Sequence, residues 1–297
     1  MDISSNLLIS EPGDQLPSYY QLPRWYQDNE HLEHGYRPSN QSFCYYLKSI
    51  FKIHNETLNV WTHLIPAIIF LILLVYSNVK HIVGDNIGDN IALNVYLLSV
   101  FLCFLFSSIM HCFHPYTEAV CHKLVKLDYF GISIAILGFY TIFIYYAFYC
   151  HERNQIIYYT LCNVLGIITI VTNCFSKFSI SNQHRKLRAI VFFSFCASIL
   201  VPLIHRIIED YDNEAGFYVE FKYSTVTGIL VGLSLFFYIT KIPEKYLNRG
   251  IFNYIFTSHQ IFHVLSFAGL FLFYIGLFDI YRVHKNVDCL IIRKYFI

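Results

Sequence analysis

Seven apolar stretches punctuate the chain, at residues 61–79, 91–113, 129–150, 156–175, 188–207, 223–240 and 260–280. Each approaches the ~20 residues an α-helix needs to cross a hydrocarbon core of ~30 Å. Within them apolar residues follow one another in runs, not at the one-sided spacing of a soluble amphipathic helix. A backbone in lipid has no water to bond, so each stretch must satisfy its own N–H and C=O groups as a helix. The pattern therefore predicts an all-α membrane protein, a seven-transmembrane helix bundle. Residues 1–55 are polar and mixed, with Pro12, Pro17, Pro23 and Pro38. Their beginning reads as a disordered lead. From Leu22 to Phe51, aromatics among charges predict a short helix lying at the membrane interface. The expected organisation is a cytosolic segment at 1–55, the seven-helix domain at 56–281 and a short extracytosolic tail at 282–297. Pro66 and Pro202 are expected to kink the first and fifth helices.

Composition sharpens this. Of 297 residues 56% are hydrophobic and only 14% charged, where a soluble domain has about 25% charged residues. Mean hydropathy is +0.45. The chain lacks the polar surface to dress a soluble globule. Its net charge of +1 carries no nucleic-acid footprint. The nine cysteines stand singly, without a C-x-x-C pair, so no disulfide framework is expected. The first twenty residues lack a basic stretch followed by an apolar core, so no cleavable signal peptide is expected.

Charge sets the expected orientation. One side would hold Arg24, Arg37, Lys48 and Lys52, then Lys123 and Lys126, then Lys177, Arg185, Lys186 and Arg188, then Lys241, Lys245 and Arg249. The other holds fewer basic residues, half of them in the tail, and two acidic runs: Asp85 and Asp89, then Glu209, Asp210, Asp212, Glu214 and Glu220. The N-terminus is thus expected in the cytosol and the C-terminus outside it, the reverse of a G-protein-coupled receptor.

Four polar residues stand out against this apolar background. His111 ends the second helix in S-S-I-M-H-C-F-H, Asp128 opens the third in K-L-D-Y-F-G, and His259 and His263 open the seventh in S-H-Q-I-F-H-V. His259 and His263 are spaced i, i+4, one turn apart on one helix face, with Cβ atoms ~5–6 Å apart. The alternating topology brings all four to one depth of the cytosolic leaflet. Ionisable groups in a membrane helix are costly unless they face the interior and are paired. Three imidazoles with an open fourth position form a catalytic zinc set, and Asp128 could orient the attacking water or act as general base. Ser107, one turn before His111, is a candidate hydrogen-bonding residue there; its plainer role is close helix packing. His63, after Trp61, reads as an interface anchor. His205 lies at the wrong end, His114 in a loop, and His81, His122, His151, His184 and His284 read as solvated. There are no paired broken helices of the transporter kind.

The residues also carry a resemblance. The segments N-E-T-L-N-V-W-T-H at 55–63, S-S-I-M-H at 107–111 with K-L-D-Y at 126–129, K-I-P-E-K-Y at 241–246 and S-H-Q-I-F-H-V-L at 258–265 resemble the progestin and adipoQ receptor family. H-R-K-L-R at 184–188 and V-P-L-I-H at 201–205 also fit, so the likeness runs over roughly residues 20–280. Within the family it looks like the adiponectin receptors; bacterial haemolysin III proteins share the fold. The resemblance implies Zn²⁺ held by His111, His259 and His263, with Asp128 acting through the zinc-bound water, and hydrolysis of a lipid amide such as ceramide to a fatty acid and sphingosine. It implies an extracellular protein ligand of adiponectin type. The L-D-Y-F-G-I-S-I-A-I-L-G stretch is also similar to the Golgi-resident member that tethers Raf kinase. The expectations are therefore a receptor-like zinc hydrolase, or a non-catalytic receptor or Golgi scaffold with structural zinc that holds a cytosolic partner through residues 20–60. Plasma membrane and Golgi both stay open. The progestin-binding branch, with its eighth helix, is disfavoured.

Overall fold

The elements follow from the apolar runs and from how each run is stopped. In a computed structural model, residues 16–84, 86–175, 185–208, 214–247, 250–285, 287 and 289 are described. A short helix α1 (Phe43–Ser49) precedes α2 (Thr57–Lys80), α3 (Ile87–Phe113), α4 (Glu118–Ala147) and α5 (Glu152–Ile170), which ends in a π turn at Val171–Phe175. Then come α6 (Arg185–Ala197), α7 (Leu200–Ile208), α8 (Glu214–Thr240) and α9 (Ser258–His284). Taking α6 and α7 as one span, seven helices are long and apolar enough to cross a membrane. Among the described residues there is no strand. The protein is a multi-pass integral membrane protein.

Boundaries differ from the sequence reading where a cap outranks hydropathy. The third span begins at Glu118, not near 129, because the Thr117 hydroxyl accepts from Val120 N and starts the helix among polar residues. Asp128 therefore lies deep inside α4 and does not open it, and Lys123 and Lys126 are helical too. The fifth span divides at Ser198 and Ile199, one turn before Pro202, whose missing N–H and bulky ring break the helical ladder there. Pro66 leaves α2 a single helix. A short helix forms within residues 22–51 as α1, with Ser42 accepting from Tyr45 N. Residues 1–15 lie outside the described part.

The bundle turns ordinary burial inside out. Ile65, Ile68, Leu71, Ile72 and Val75 of α2 are exposed, which suits a lipid-facing wall. The core is aromatic, with Phe70, Tyr96, Phe104 and Phe273 packed between α2, α3, α4 and α9. The apolar stretch of α4 is 56% buried against 17% for α5 and α8, so α4 is the central helix and those two lie at the rim. Gly138 of α4 lets α3 approach: a Cβ there would stand 3.1 Å from the Val95 carbonyl oxygen. Small residues at such crossings bring backbones into van der Waals contact, the main attraction between helices in lipid.

The pole remote from the N-terminal segment is polar and stapled. His284, in the last turn of α9, is buried, not solvated as its sequence context implied. Its Nδ1 donates to the Ile280 carbonyl (2.8 Å) and its Nε2 lies 3.1 Å from Glu220 of α8. Beyond it Cys150, after α4, is disulfide-bonded to Cys289. This corrects the expectation of unpaired cysteines: the two lie 139 residues apart, a separation that sequence spacing does not reveal. Cys44, Cys103, Cys112, Cys121, Cys162, Cys174 and Cys196 are free. In denaturant, a maleimide gel-shift assay is expected to count seven thiols before reduction and nine after; nine at the outset would break the staple.

Candidate metal centre

α3 ends and α9 begins at the same pole, and both ends are fastened. At the start of α9, the Thr257 hydroxyl accepts from Gln260 N and the Gln260 side chain accepts from Thr257 N, a reciprocal cap. His259 and His263 occupy the first two turns behind it. His111 lies in the last turn of α3. The side chains of His111, His259 and His263 each offer a nitrogen within 4.8 Å of the others, and this trio could hold a metal ion. Ring centroids are 4.9, 5.0 and 4.5 Å apart, with planes inclined 61–67° to one another. His111 Nε2 and His259 Nε2 are 3.1 Å apart. Tetrahedral zinc with Zn–N of ~2.0–2.1 Å would separate its ligand nitrogens by roughly 3.3 Å, so the donor set fits such an ion.

Hydrogen bonds on the outer ring edges fix which nitrogen faces the centre. His111 Nδ1 donates to Glu56 Oε2 at 2.7 Å, which leaves a lone pair on Nε2. Thr62 Oγ1 lies 2.9 Å from His263 Nδ1. That hydroxyl spends its single hydrogen on the Leu58 carbonyl (2.6 Å), so it accepts from His263 Nδ1–H, and His263 Nε2 is likewise bare. Carboxylate or hydroxyl partners of this kind orient metal-ligating histidines. Glu56 also accepts from Asn59 Nδ2 at 2.7 Å. Burial works to raise the Glu56 carboxyl, but its contacts with His111, His114 and Asn59 together hold it well below the usual carboxylate range.

The structure brings together His111, His259 and His263. Asp128 of α4 is buried, hydrogen-bonded to Ser107 and within electrostatic range of His111. His63 departs from its reading as an interface anchor. It is 4% exposed and stacks on His263 with centroids 3.4 Å apart; neither ring nitrogen has a hydrogen-bond partner among the described residues. It stands beside the trio without belonging to it. His114 caps α3 and packs edge-on against Tyr26. His205 bonds to Tyr158 in the rim helices, away from the trio. His122 is helical, and His184 lies outside the described residues. Glu56, Thr62 and His63 were missed at the sequence level, though a signal exists. Glu56, Asn59 and His63 recur at i, i+3, i+7, a polar stripe along a helix that is otherwise apolar.

Residues 51–274 match the haemolysin-III-related family. The chain is 35% identical to the Drosophila melanogaster adiponectin receptor protein over 89% of its own length and 60% of that protein's. It is 34% identical to Caenorhabditis elegans progestin and adipoQ receptor-like protein 1 over 91% of its length and 62% of that protein's. The chain thus spans less than two thirds of both. It is 33% identical to human progestin and adipoQ receptor family member 3, over 87% of this chain and 84% of that one. All-helical architecture, seven spans and this likeness agree, and the chain belongs to the progestin and adipoQ receptor family of haemolysin-III-related membrane proteins.

Proposed function

We propose that this protein is an adiponectin-receptor-like zinc hydrolase of a membrane lipid amide, with ceramide as the substrate type. The observation that carries it is the set of three imidazoles converging on one point, two with their outer nitrogens pinned by Glu56 and Thr62, beside the buried carboxyl of Asp128. His111, His259 and His263 would hold the zinc. Bound there, zinc supplies a Lewis acid and a water acidified towards a pKa of ~7. Asp128 takes the proton from the attacking water as its oxygen joins the amide carbon, then delivers it to the nitrogen as the C–N bond breaks, giving a fatty acid and an amine. Ser107, within reach of Asp128, orients that carboxyl. The apolar bundle wall admits the substrate laterally from the leaflet.

In this reading the metal pole faces the cytosol. Two independent features support that orientation: the basic residues gathered on the side of the N-terminal segment, and the Cys150–Cys289 disulfide at the opposite pole, since disulfides persist in oxidising compartments. Both the cell exterior and the Golgi lumen meet that condition. The Drosophila relative is named for adiponectin, which favours a protein ligand of that type at the stapled pole.

Detergent-purified protein is expected to contain about one zinc per chain, and the His259→Ala, His263→Ala double variant almost none; equal zinc in both by plasma emission would end this reading. Replacing Glu56 with Gln removes the charged acceptor behind His111 and should weaken zinc binding by ~10–100-fold, read by chelator competition. Asp128→Asn is expected to keep its zinc while losing ~10²–10⁴-fold in release of fatty acid from ceramide. Full activity in that variant would remove Asp128 from the proton path.

A further inference from the structure

Two buried charges in loops at the metal pole are explained by neither the metal trio nor its hydrogen-bonded partners. Arg37 is 1% exposed, and Glu244 is fully buried. Neither lies in a membrane-crossing helix, and they belong to different loops. Each ends on one of the two helices that carry the trio.

Arg37 reaches the C-terminal end of α3. Its Nη2 donates to the His111 carbonyl (2.6 Å) and its Nη1 to the Cys112 carbonyl (2.8 Å) and Ser49 Oγ (2.9 Å). The last four carbonyls of a helix have no partner within it, and the helix dipole makes that end negative. A planar guanidinium covers two of them at once, which a lysine cannot do in the same geometry. One of the two belongs to His111 itself.

Glu244 does the converse at the N-terminal end of α9. Its Oε2 accepts from Ser258 N at 2.7 Å, and its Oε1 accepts from Ser258 Oγ. A helix N-terminus offers unpaired N–H groups and a positive dipole end. Ser258 directly precedes His259. The remaining donor to Glu244 Oε1 is Asn29 Nδ2, at 3.0 Å. So residues 29–37 touch both capping charges, holding one through Asn29 and supplying the other as Arg37. Asn253, between Glu244 and α9, fastens the middle of that stretch by accepting from Glu33 N (2.8 Å) and His34 N (3.2 Å).

We propose that Arg37 and Glu244 are positioning residues for the metal site, and that residues 29–37 are a strap fixing the end of α3 relative to the start of α9. The proposal rests on the zinc reading above. Burying an ionised group is expensive unless its partners are good ones; here each charge meets the helix end of opposite sign. The separation of His111 from His259 is then set by the cytosolic segment as well as by helix packing in the bilayer. Whatever binds that segment would act on the metal.

The test uses full-length protein in detergent, loaded with Co²⁺ as a visible reporter of coordination geometry, and three variants. Arg37→Lys keeps the charge and loses the fork, Glu244→Gln keeps the shape and loses the charge, and Asn29→Ala leaves both capping charges in place and cuts only the strap. Chelator competition is expected to show ~10–100-fold weaker metal binding for Arg37→Lys and Glu244→Gln, with an altered cobalt spectrum in all three. Wild-type affinity and spectrum in the variants, even with a lowered melting temperature, would make these charges plain helix caps and overturn the proposal. If an unfolded Arg37→Lys or Glu244→Gln chain gives no reading, a wild-type spectrum from Asn29→Ala overturns it alone. Failure of the wild type to take up cobalt or zinc would sink the zinc reading, and this proposal with it.

Discussion

A helix that stops leaves four carbonyls or four amides without partners, and the candidate metal centre is built where two helices stop. His111 belongs to the last turn of α3, and His259 and His263 to the first turns of α9. Any slack in those ends would be slack in the donor set. The structure answers with the Thr257–Gln260 cap, the Arg37 guanidinium on two carbonyls and the Glu244 carboxylate on Ser258. Arg37, Glu244 and Thr257 all lie in polar segments outside the apolar spans. The bilayer-crossing bundle supplies the frame, and the segments at one pole fasten its helix ends.

The same pole shows how imidazoles are set. A neutral histidine can present either nitrogen, and the choice is made by whatever bonds the other. Glu56 makes it for His111, and the Thr62 hydroxyl, its own hydrogen already committed to Leu58, makes it for His263. Both partners come from the start of α2, which carries none of the trio. Three helices therefore shape a site whose donors lie on two, and Asp128 adds a fourth.

The far pole uses other means to the same end. His284 brings α9 to within 3.1 Å of Glu220 of α8 inside the bundle, and the Cys150–Cys289 bond ties the chain beyond α9 to the end of α4. Between the poles, apolar contact and close backbone approach at Gly138 suffice, because helices in lipid gain little from hydrophobicity and much from packing.

Hydropathy alone determined the class of fold, since a run of ~20 apolar residues has no other stable form in a bilayer. The i, i+4 spacing of His259 and His263, with His111 and Asp128 assigned to the same leaflet by counting spans, made a candidate donor set legible before any coordinates. Periodicity and topology are local or parity properties, and a sequence states them directly. Helix starts were less legible: the Thr117 cap begins α4 among charged residues, where hydropathy is blind. His63, Glu56 and Arg37 were hidden because their roles depend on distances between segments far apart in the chain. His63 meets His263 only where α2 packs against α9, and Arg37 meets the His111 carbonyl only where a loop folds back under α3. The Cys150–Cys289 pair has the same cause. Spacing along the chain says what each residue can do, and the folded structure alone decides which atoms come close enough to do it.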